Sequence, residues 1–297
     1  SRGLGDVYKR QPEYGEHPGI EMTTGPLGQG FATSVGMALA ERMLAAKFGK
    51  SLVDHRTWVI AGDGCLQEGV SHEAAALAGH LKLNKLTVLW DDNSISIDGA
   101  TSMSTSEDTL KRFSAYGWAT KRIDGHNVEE LTAALAFAQK SSKPTIIACK
   151  TIIGFGAPTK AGTAGVHGSA LGGAEAEGAK KALGWNHLPF VVPEEIYTPW
   201  REAGARGGAA RRAWLKRLAK HPMRAEFERV MAGKLPEGWA EAMSAYKASL
   251  AESKPKLATR QSSQKALEVL VGALPELVGG SADLTGSNLT KTKQLVP

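Results

Sequence analysis

The chain has 297 residues, enough for about two domains that each bury a core. Its 42% hydrophobic and 22% charged composition is that of a globular protein, and no apolar run reaches the ~20 residues a membrane-spanning helix needs. Lys and Arg exceed Asp and Glu by 36 to 30, a net charge of +6 whose excess clusters at 201–229; this reads as a solvated basic helical face, not a nucleic-acid or membrane surface.

Residues 1–11, SRGLGDVYKRQ, match the translation of a transposon-end sequencing adapter codon for codon and are expected to be an assembly scar. Residues 12–24 are loop-like, and the glycine-rich turn GPLGQG at 25–30 opens a helix at 31–48. Gly36, Ala38 and Ala40 in that helix would permit close packing on a neighbour. A strand at 57–61 ends in the turn Gly62-Asp63-Gly64, a helix follows at 67–81, and a second strand at 86–90 ends at Asp91, Asp92 and Asn93. Cys65 and Cys149 make no metal-ligand or redox spacing, in keeping with a reduced, cytoplasmic protein. A helix at 106–115 starts near Thr105 or Ser106 with Glu107 and Asp108 beside it, and a strand at 118–123, a helix at 128–140 and a strand at 145–150 complete the alternation.

Strands alternating with helices at this spacing predict an α/β fold with a parallel sheet covered by helices on both faces. In such a sheet ligands bind beyond the carboxyl ends of the strands, where Asp63 and Asn93 both fall. A carboxylate, an amide oxygen and a nearby backbone carbonyl suit Mg²⁺, which completes its octahedron with phosphates and water. Glycines beside Asp63 let the backbone approach those phosphates, and a following helix N-terminus favours their charge. The Gly/Ala-rich stretch 153–173 is a long loop carrying His167, and loops of this length in compact domains are usually functional or disordered. From 180 to 256 the chain is polar and helical, with Pro189, Pro193, Pro199, Pro222 and Pro236 expected to break it into short pieces. A new unit starts near Leu257: TRQSSQKALEVL predicts a helix, and PELVGGSADL a strand and turn.

The segments PEYGEHPGIEMTTGPLGQG, AGDGCLQEGVSHEAAALAG, DDNSISIDGATS, YGWATKRIDGHN, CKTIIGFGAPTKAGT, VHG and GGSADLTGSNLT occur in this order over residues 12–290. Together they resemble transketolase, and the GDG turn with Asn93 resembles the thiamine diphosphate and Mg²⁺ signature. The resemblance implies a diphosphate-binding domain lacking its N-terminus at 12–188, a helical connector at 189–256 and the beginning of a pyrimidine-binding domain at 257–297. It implies that Asp63, Asn93 and the Ile95 carbonyl hold Mg²⁺, with Ca²⁺ or Mn²⁺ as substitutes, and that Gly25, Pro26, Leu27, Gly64, Asn93 and His167 line thiamine diphosphate. His167 is also implied as the catalytic histidine beside the substrate, Arg260 and Ser287 as sugar-phosphate contacts, and Glu68 and Glu73 as acids at the interface of a homodimer whose active sites lie between subunits.

The implied activity is transfer of a two-carbon ketol unit from a ketose phosphate such as xylulose 5-phosphate to an aldose phosphate such as ribose 5-phosphate, in the pentose phosphate pathway or Calvin cycle. The family's activating glutamate would lie beyond Pro297 and its N-terminal histidines before Pro12, so this stretch alone is expected to be inactive. Gln11 stands where a histidine is expected, Ala164 where some members have a histidine, and Gly286 where a proline is common. Dihydroxyacetone synthase and 1-deoxyxylulose-phosphate synthase share parts of this text; Arg260, His167, Ser287 and DDNSISIDG favour transketolase over the second. A cofactor-half module that pairs with a complementary chain is the reading from a different class.

Overall fold

The computed structural model describes residues 13–16 and 18–295; the expected scar and Gln11 lie outside the described residues. The chain divides into two compact units between Arg212 and Ala213, inside the expected connector.

In the first unit, α1 (Gln29–Phe48) leads into β1 (Thr57–Gly62), followed by the short α2 (Asp63–Gln67), α3 (Gly69–His80) and β2 (Leu86–Asp92). A two-stranded hairpin of β3 (Ile95–Ser96) and β4 (Gly99–Ala100) comes next, then α4 (Thr109–Ala115), β5 (Ala119–Asp124), α5 (Val128–Lys140), β6 (Thr145–Lys150) and, after the long loop, α6 (Gly173–Ala182). β1, β2, β5 and β6 form one parallel sheet in the order β1-β2-β6-β5. Because every pair is parallel, Gly62, Asp92, Lys150 and Asp124 end at the same edge.

Alternation along the strands sends side chains to two faces. One face packs Val88, Trp90, Ile146 and Ala148 with Phe31, Val35 and Ala38 of α1, Ala75 and Ala78 of α3, and Phe113 of α4. The other packs Ile123 and Ile147 with Ala134 and Ala138 of α5. Helices therefore cover both faces, as expected. The aromatic centre is specific: Phe113 meets Trp118 edge-on at 5.1 Å and Phe31 stacks on Trp118 at 6.1 Å. The buried indole N–H of Trp118 donates to the Ala75 carbonyl at 2.8 Å, so the ring is buried with its polar group satisfied. Glu41, nearly fully buried on α1, is neutralised by Lys85 at 2.5 Å, which also holds Asp54.

Several expectations are corrected. The helix expected at 67–81 is two helices, because Glu68 is extended (φ −64°, ψ 139°) between α2 and α3. The Ser71 hydroxyl takes up the Cys65 carbonyl at 2.5 Å at this break. The helix expected from 106 begins at Thr109, where the Asp108 carboxylate caps the Lys111 N–H at 3.1 Å. Gly36 and Ala40 are exposed, and of these three small residues only Ala38 is buried, since 36 and 40 share a face away from Phe31, Val35 and Ala38. Pro199 lies inside α7 (Glu194–Ala219) and does not end it; the Glu195 carbonyl that loses its donor belongs to an exposed residue, so water can serve it.

In the second unit, the end of α7 is followed by α8 (Arg224–Met231), α9 (Trp239–Ser253), α10 (Thr259–Ala273) and α11 (Thr285–Asn288). Trp214 packs against Phe227 at 6.0 Å, and Arg229 bridges Glu226 and Glu276. The helix expected after Leu257 is α10, but 275–284 form no strand. A strand needs a neighbour to accept its backbone hydrogen bonds, and the described residues from 213 onward contain none.

Gly79 lets α3 lie directly against the start of β5: a Cβ there would overlap the Tyr116 carbonyl oxygen and come within 3.2 Å of the Trp118 ring. Gly79→Ala is expected to cost about 3 kcal/mol, the upper end for overpacking. Urea unfolding measures it, and a change below about 0.5 kcal/mol, the level of a neutral surface substitution, contradicts this packing.

Candidate functional site

The site grows from the carboxyl edge of the sheet. β1 ends beside β2 with Gly62 opposite Asp91, and the next residue, Asp63, starts α2. The Trp90 indole N–H donates to Asp63 Oδ1 at 3.3 Å. Asp63 Oδ2 is buried with no hydrogen-bond partner, the one carboxylate oxygen so placed among the described residues. Burial first, and then the charges of Asp92 and Asp91, raise the Asp63 carboxyl from 3.8 to about 6, against the Trp90 hydrogen bond and Lys150, which lower it. An acceptor buried without a donor is costly unless something else supplies positive charge.

β2 runs two residues further than expected, so Asp91 and Asp92 belong to the strand and Asn93 is its tip. Asn93 Oδ1 accepts the Ile95 N–H at 2.9 Å, and its Nδ2 donates to Asp91 Oδ2 at 2.9 Å. Ser94 between them has φ +64°, and its hydroxyl accepts from Lys150 Nζ at 2.5 Å. α2 lies against β3, which begins with Ile95, so Asp63 and the Asn93–Ile95 turn flank the same corner of the sheet. No three His, Cys, Asp or Glu side chains among the described residues form a metal cluster. A cation here would draw on one carboxylate, an amide, a carbonyl and its ligand's phosphates, and the unpaired Asp63 oxygen suits that donor set.

The glycine-rich loop closes a second side. Gly28 caps α1 at φ +82°, and a Cβ there would meet Val70 Cγ1 at 2.8 Å and Glu68 Cβ at 2.9 Å. A Cβ at Gly64 would come within 3.1 Å of Leu27 Cδ1. Thus Leu27 and Gly28 sit beside the α2–α3 corner that carries Asp63 and Gly64, and Gly25 and Pro26 lead into them; a Cβ at Gly25 would meet nothing within 4 Å.

His167 is exposed at the end of a short 3₁₀ turn, Ala164–Val166, within the 153–173 loop. That loop is tied by hydrogen bonds: Lys160 Nζ donates to the Leu171 carbonyl at 2.8 Å, and Glu175 accepts the Thr159 N–H at 3.2 Å. No hydrogen bond joins His167 to Asp63 or Asn93 among the described residues. Glu68 and Glu73 are exposed, Glu68 in the extended break and Glu73 on α3. In the second unit, Arg260 Nη1 donates to the Ser287 carbonyl at 3.3 Å, so these two residues are adjacent and exposed.

Sequence reasoning gave no role to Trp90, Asp91, Asp92, Arg122, Lys150 or Thr151. Asp92 is buried and neutralised by Arg122 at 2.5 Å and Lys150 at 3.5 Å. Thr151 Oγ donates to Asp91 Oδ1. The signal was the Asp-Asp doublet at a strand end, since a half-buried and a buried carboxylate side by side need donors from neighbouring strands. Burial, then the charges of Asp91 and Asp92, push the Cys149 thiol's pKa up, which disfavours its thiolate.

Residues 2–236 match the family model for "Transketolase, thiamine diphosphate binding domain". The chain is 54% identical over 295 residues to the transketolase of Cereibacter sphaeroides, covering 99% of this chain and 45% of that protein. Among solved structures it resembles transketolase from Leishmania mexicana, with TM-score 0.84 and 42% identity over 94% of this chain and 42% of that one. It also resembles a Pichia stipitis transketolase solved with sedoheptulose 7-phosphate, with TM-score 0.83 and 39% identity over 93% of this chain and 42% of that one. The chain spans less than half the length of the curated relatives it matches. With its parallel sheet, its GDG corner and this matched span, the chain belongs to the transketolase family and contains its thiamine diphosphate-binding domain.

Proposed function

We propose that the protein is a ketol transferase, moving a two-carbon unit from a ketose phosphate such as xylulose 5-phosphate to an aldose phosphate such as ribose 5-phosphate. The observation that carries the reading is the buried, unpaired Asp63 oxygen at the carboxyl edge of the sheet. Asp63, the Asn93 amide oxygen and the Ile95 carbonyl would hold Mg²⁺ together with the diphosphate. Gly25 and Gly64 would leave room for the diphosphate, which bulkier side chains there would exclude, and Pro26 and Leu27 would line the cofactor beside them. When bound, thiamine diphosphate supplies the carbon nucleophile that makes cleavage of the ketose C2–C3 bond possible.

The chain's own groups then bind substrate and move protons. His167 is the shuttle for a sugar hydroxyl proton, a task suited to an imidazole near neutral pH. Arg260 presents a guanidinium to the sugar phosphate and Ser287 a hydroxyl, and their adjacency supports a shared phosphate contact. The sedoheptulose 7-phosphate complex of the Pichia stipitis relative supports a sugar-phosphate substrate class. Homodimerisation through a face carrying Glu68 and Glu73 is part of this reading, supported by the exposure of both. Two free cysteines support a cytoplasmic setting, and no helix among the described residues is long and apolar enough to cross a membrane.

A carboxylate with a raised pKa is less favourable in its charged form when folded than when unfolded, so Asp63 opposes folding of the metal-free chain increasingly from pH 3.8 and fully above about pH 6. Asp63→Asn is therefore expected to stabilise the metal-free chain at pH 7 by about 1 kcal/mol after solvent screening. The same variant should lose the Tm increase that Mg²⁺ with thiamine diphosphate gives the parent. Fluorimetric melting measures both, and an undiminished Tm increase in the variant contradicts the ligand assignment.

In the whole protein, Arg260→Gln should raise KM for phosphorylated sugars about 10- to 100-fold, corresponding to the loss of about 1.5–3 kcal/mol from a charged hydrogen bond. KM for the same sugar without its phosphate should stay unchanged. Equal effects on both substrates contradict the phosphate role.

A further inference from the structure

Consecutive side chains of a strand leave on opposite faces, and the two carboxylates ending β2 have different partners. Asp92 is met by Arg122 and Lys150. Asp91 makes no ion pair among the described residues; it accepts two hydrogen bonds, from Thr151 Oγ at Oδ1 and from Asn93 Nδ2 at Oδ2. Neither neutralises it, so charge balance does not explain its presence.

The partner at Oδ2 does. An asparagine amide has an oxygen end and an NH₂ end of nearly equal size, and only the oxygen end can ligate a cation. Asp91 is an acceptor at both oxygens however it rotates, so it always selects the NH₂ end of Asn93. The opposite end, Oδ1, is held by the Ile95 N–H at 2.9 Å. Flipping the amide would set oxygen against carboxylate and NH₂ against N–H, turning two attractions into two repulsions. Thr151, directly after β6, fixes Asp91 from behind, so the amide is oriented by groups on two neighbouring strands.

We propose that Asp91 is a positioning residue that, backed by Thr151, fixes the Asn93 side-chain amide with its oxygen turned to the cation. This rests on the metal site proposed above. Partners behind a ligand commonly change metal affinity 10- to 100-fold when removed, by about this mechanism.

Two measurements on the whole protein, with the Asn93 side chain isotopically labelled, test it. In the metal-free protein, the Asn93 side-chain NH₂ protons should show the downfield NMR shift of a carboxylate hydrogen bond, lost in Asp91→Ala. Unchanged NH₂ signals in that variant overturn the proposal. With thiamine diphosphate present, Asp91→Ala should weaken Mn²⁺ binding by about 10- to 100-fold. In an Asn93→Asp background there is no amide to orient and Asp91 is only a repelling neighbour, so adding Asp91→Ala should leave Mn²⁺ affinity equal or tighter. Loss of affinity in both backgrounds shows a general structural role and overturns the proposal, as does loss in neither.

If Asp91→Ala does not fold, Thr151→Val replaces it, with a smaller weakening expected in the parent and none in the Asn93→Asp background. The same loss in both backgrounds, or in neither, is again the contradicting result. Failure of the whole parent protein to bind Mn²⁺ with thiamine diphosphate counts against the metal site itself, and the NH₂ signal then decides the role of Asp91 alone.

Discussion

A carboxylate at the end of β1 has one oxygen buried without a partner, and the surrounding chain makes this worse before anything makes it better. Asp92 and Asp91 on the neighbouring strand both raise its pKa, and its nearest donor, the Trp90 indole, satisfies only one oxygen. A chain selected for stability alone would place an amide or an apolar group at this corner. The parallel sheet forces the opposite: pairing β1 with β2 and β2 with β6 brings every strand end, and its acidic tips, to one edge. In the function proposed above, this local cost is offset by a divalent cation held with a diphosphate.

The fold around that corner is built to hold it still. Phe31, Phe113 and Trp118 interlock on one face of the sheet, tying α1, α4 and the start of β5 together. Arg112 of α4 donates to the Leu66 carbonyl at 3.0 Å, fastening α4 to the short helix that begins with Asp63. Gly28 and Gly79 allow two close approaches, one of the glycine-rich loop to Glu68 and Val70, the other of α3 to Tyr116. At the tip of β2, Lys150 serves both Asp92 and Ser94, joining β6 to the turn that carries Asn93 and Ile95. Charges that could have collapsed onto Asp63 are thus committed elsewhere.

Much of this was legible in the residues. The apolar runs at 57–61, 86–90 and 145–150 with helices between them specify a parallel sheet, and the helix at 128–140 falls as α5 with Asn127 capping it. Asp63 and Asn93 could be assigned to the sheet edge because strand ends in βαβ units share a side. What the pattern could not carry depends on long-range partners. Glu68 breaks a helix that its neighbours favour, where the glycine-rich loop packs against it. Pro199 survives within a helix because its orphaned carbonyl belongs to an exposed residue. The apolar run near 277 has the composition of a strand yet forms none, since pairing requires a neighbour that the described residues do not supply. Asp91 and Thr151 are 60 residues apart, and no local periodicity links a hydroxyl after one strand to a carboxylate ending another.

The central claim is that the unpaired Asp63 oxygen is completed by a divalent cation held with a diphosphate. Anomalous diffraction from crystals of the chain grown with Mn²⁺ and thiamine diphosphate tests it directly. One Mn²⁺ peak about 2.1 Å from Asp63 Oδ2, Asn93 Oδ1 and the Ile95 carbonyl is the predicted result. A peak on Asp91 and Asp92 instead, with Asp63 still unpaired, would contradict it.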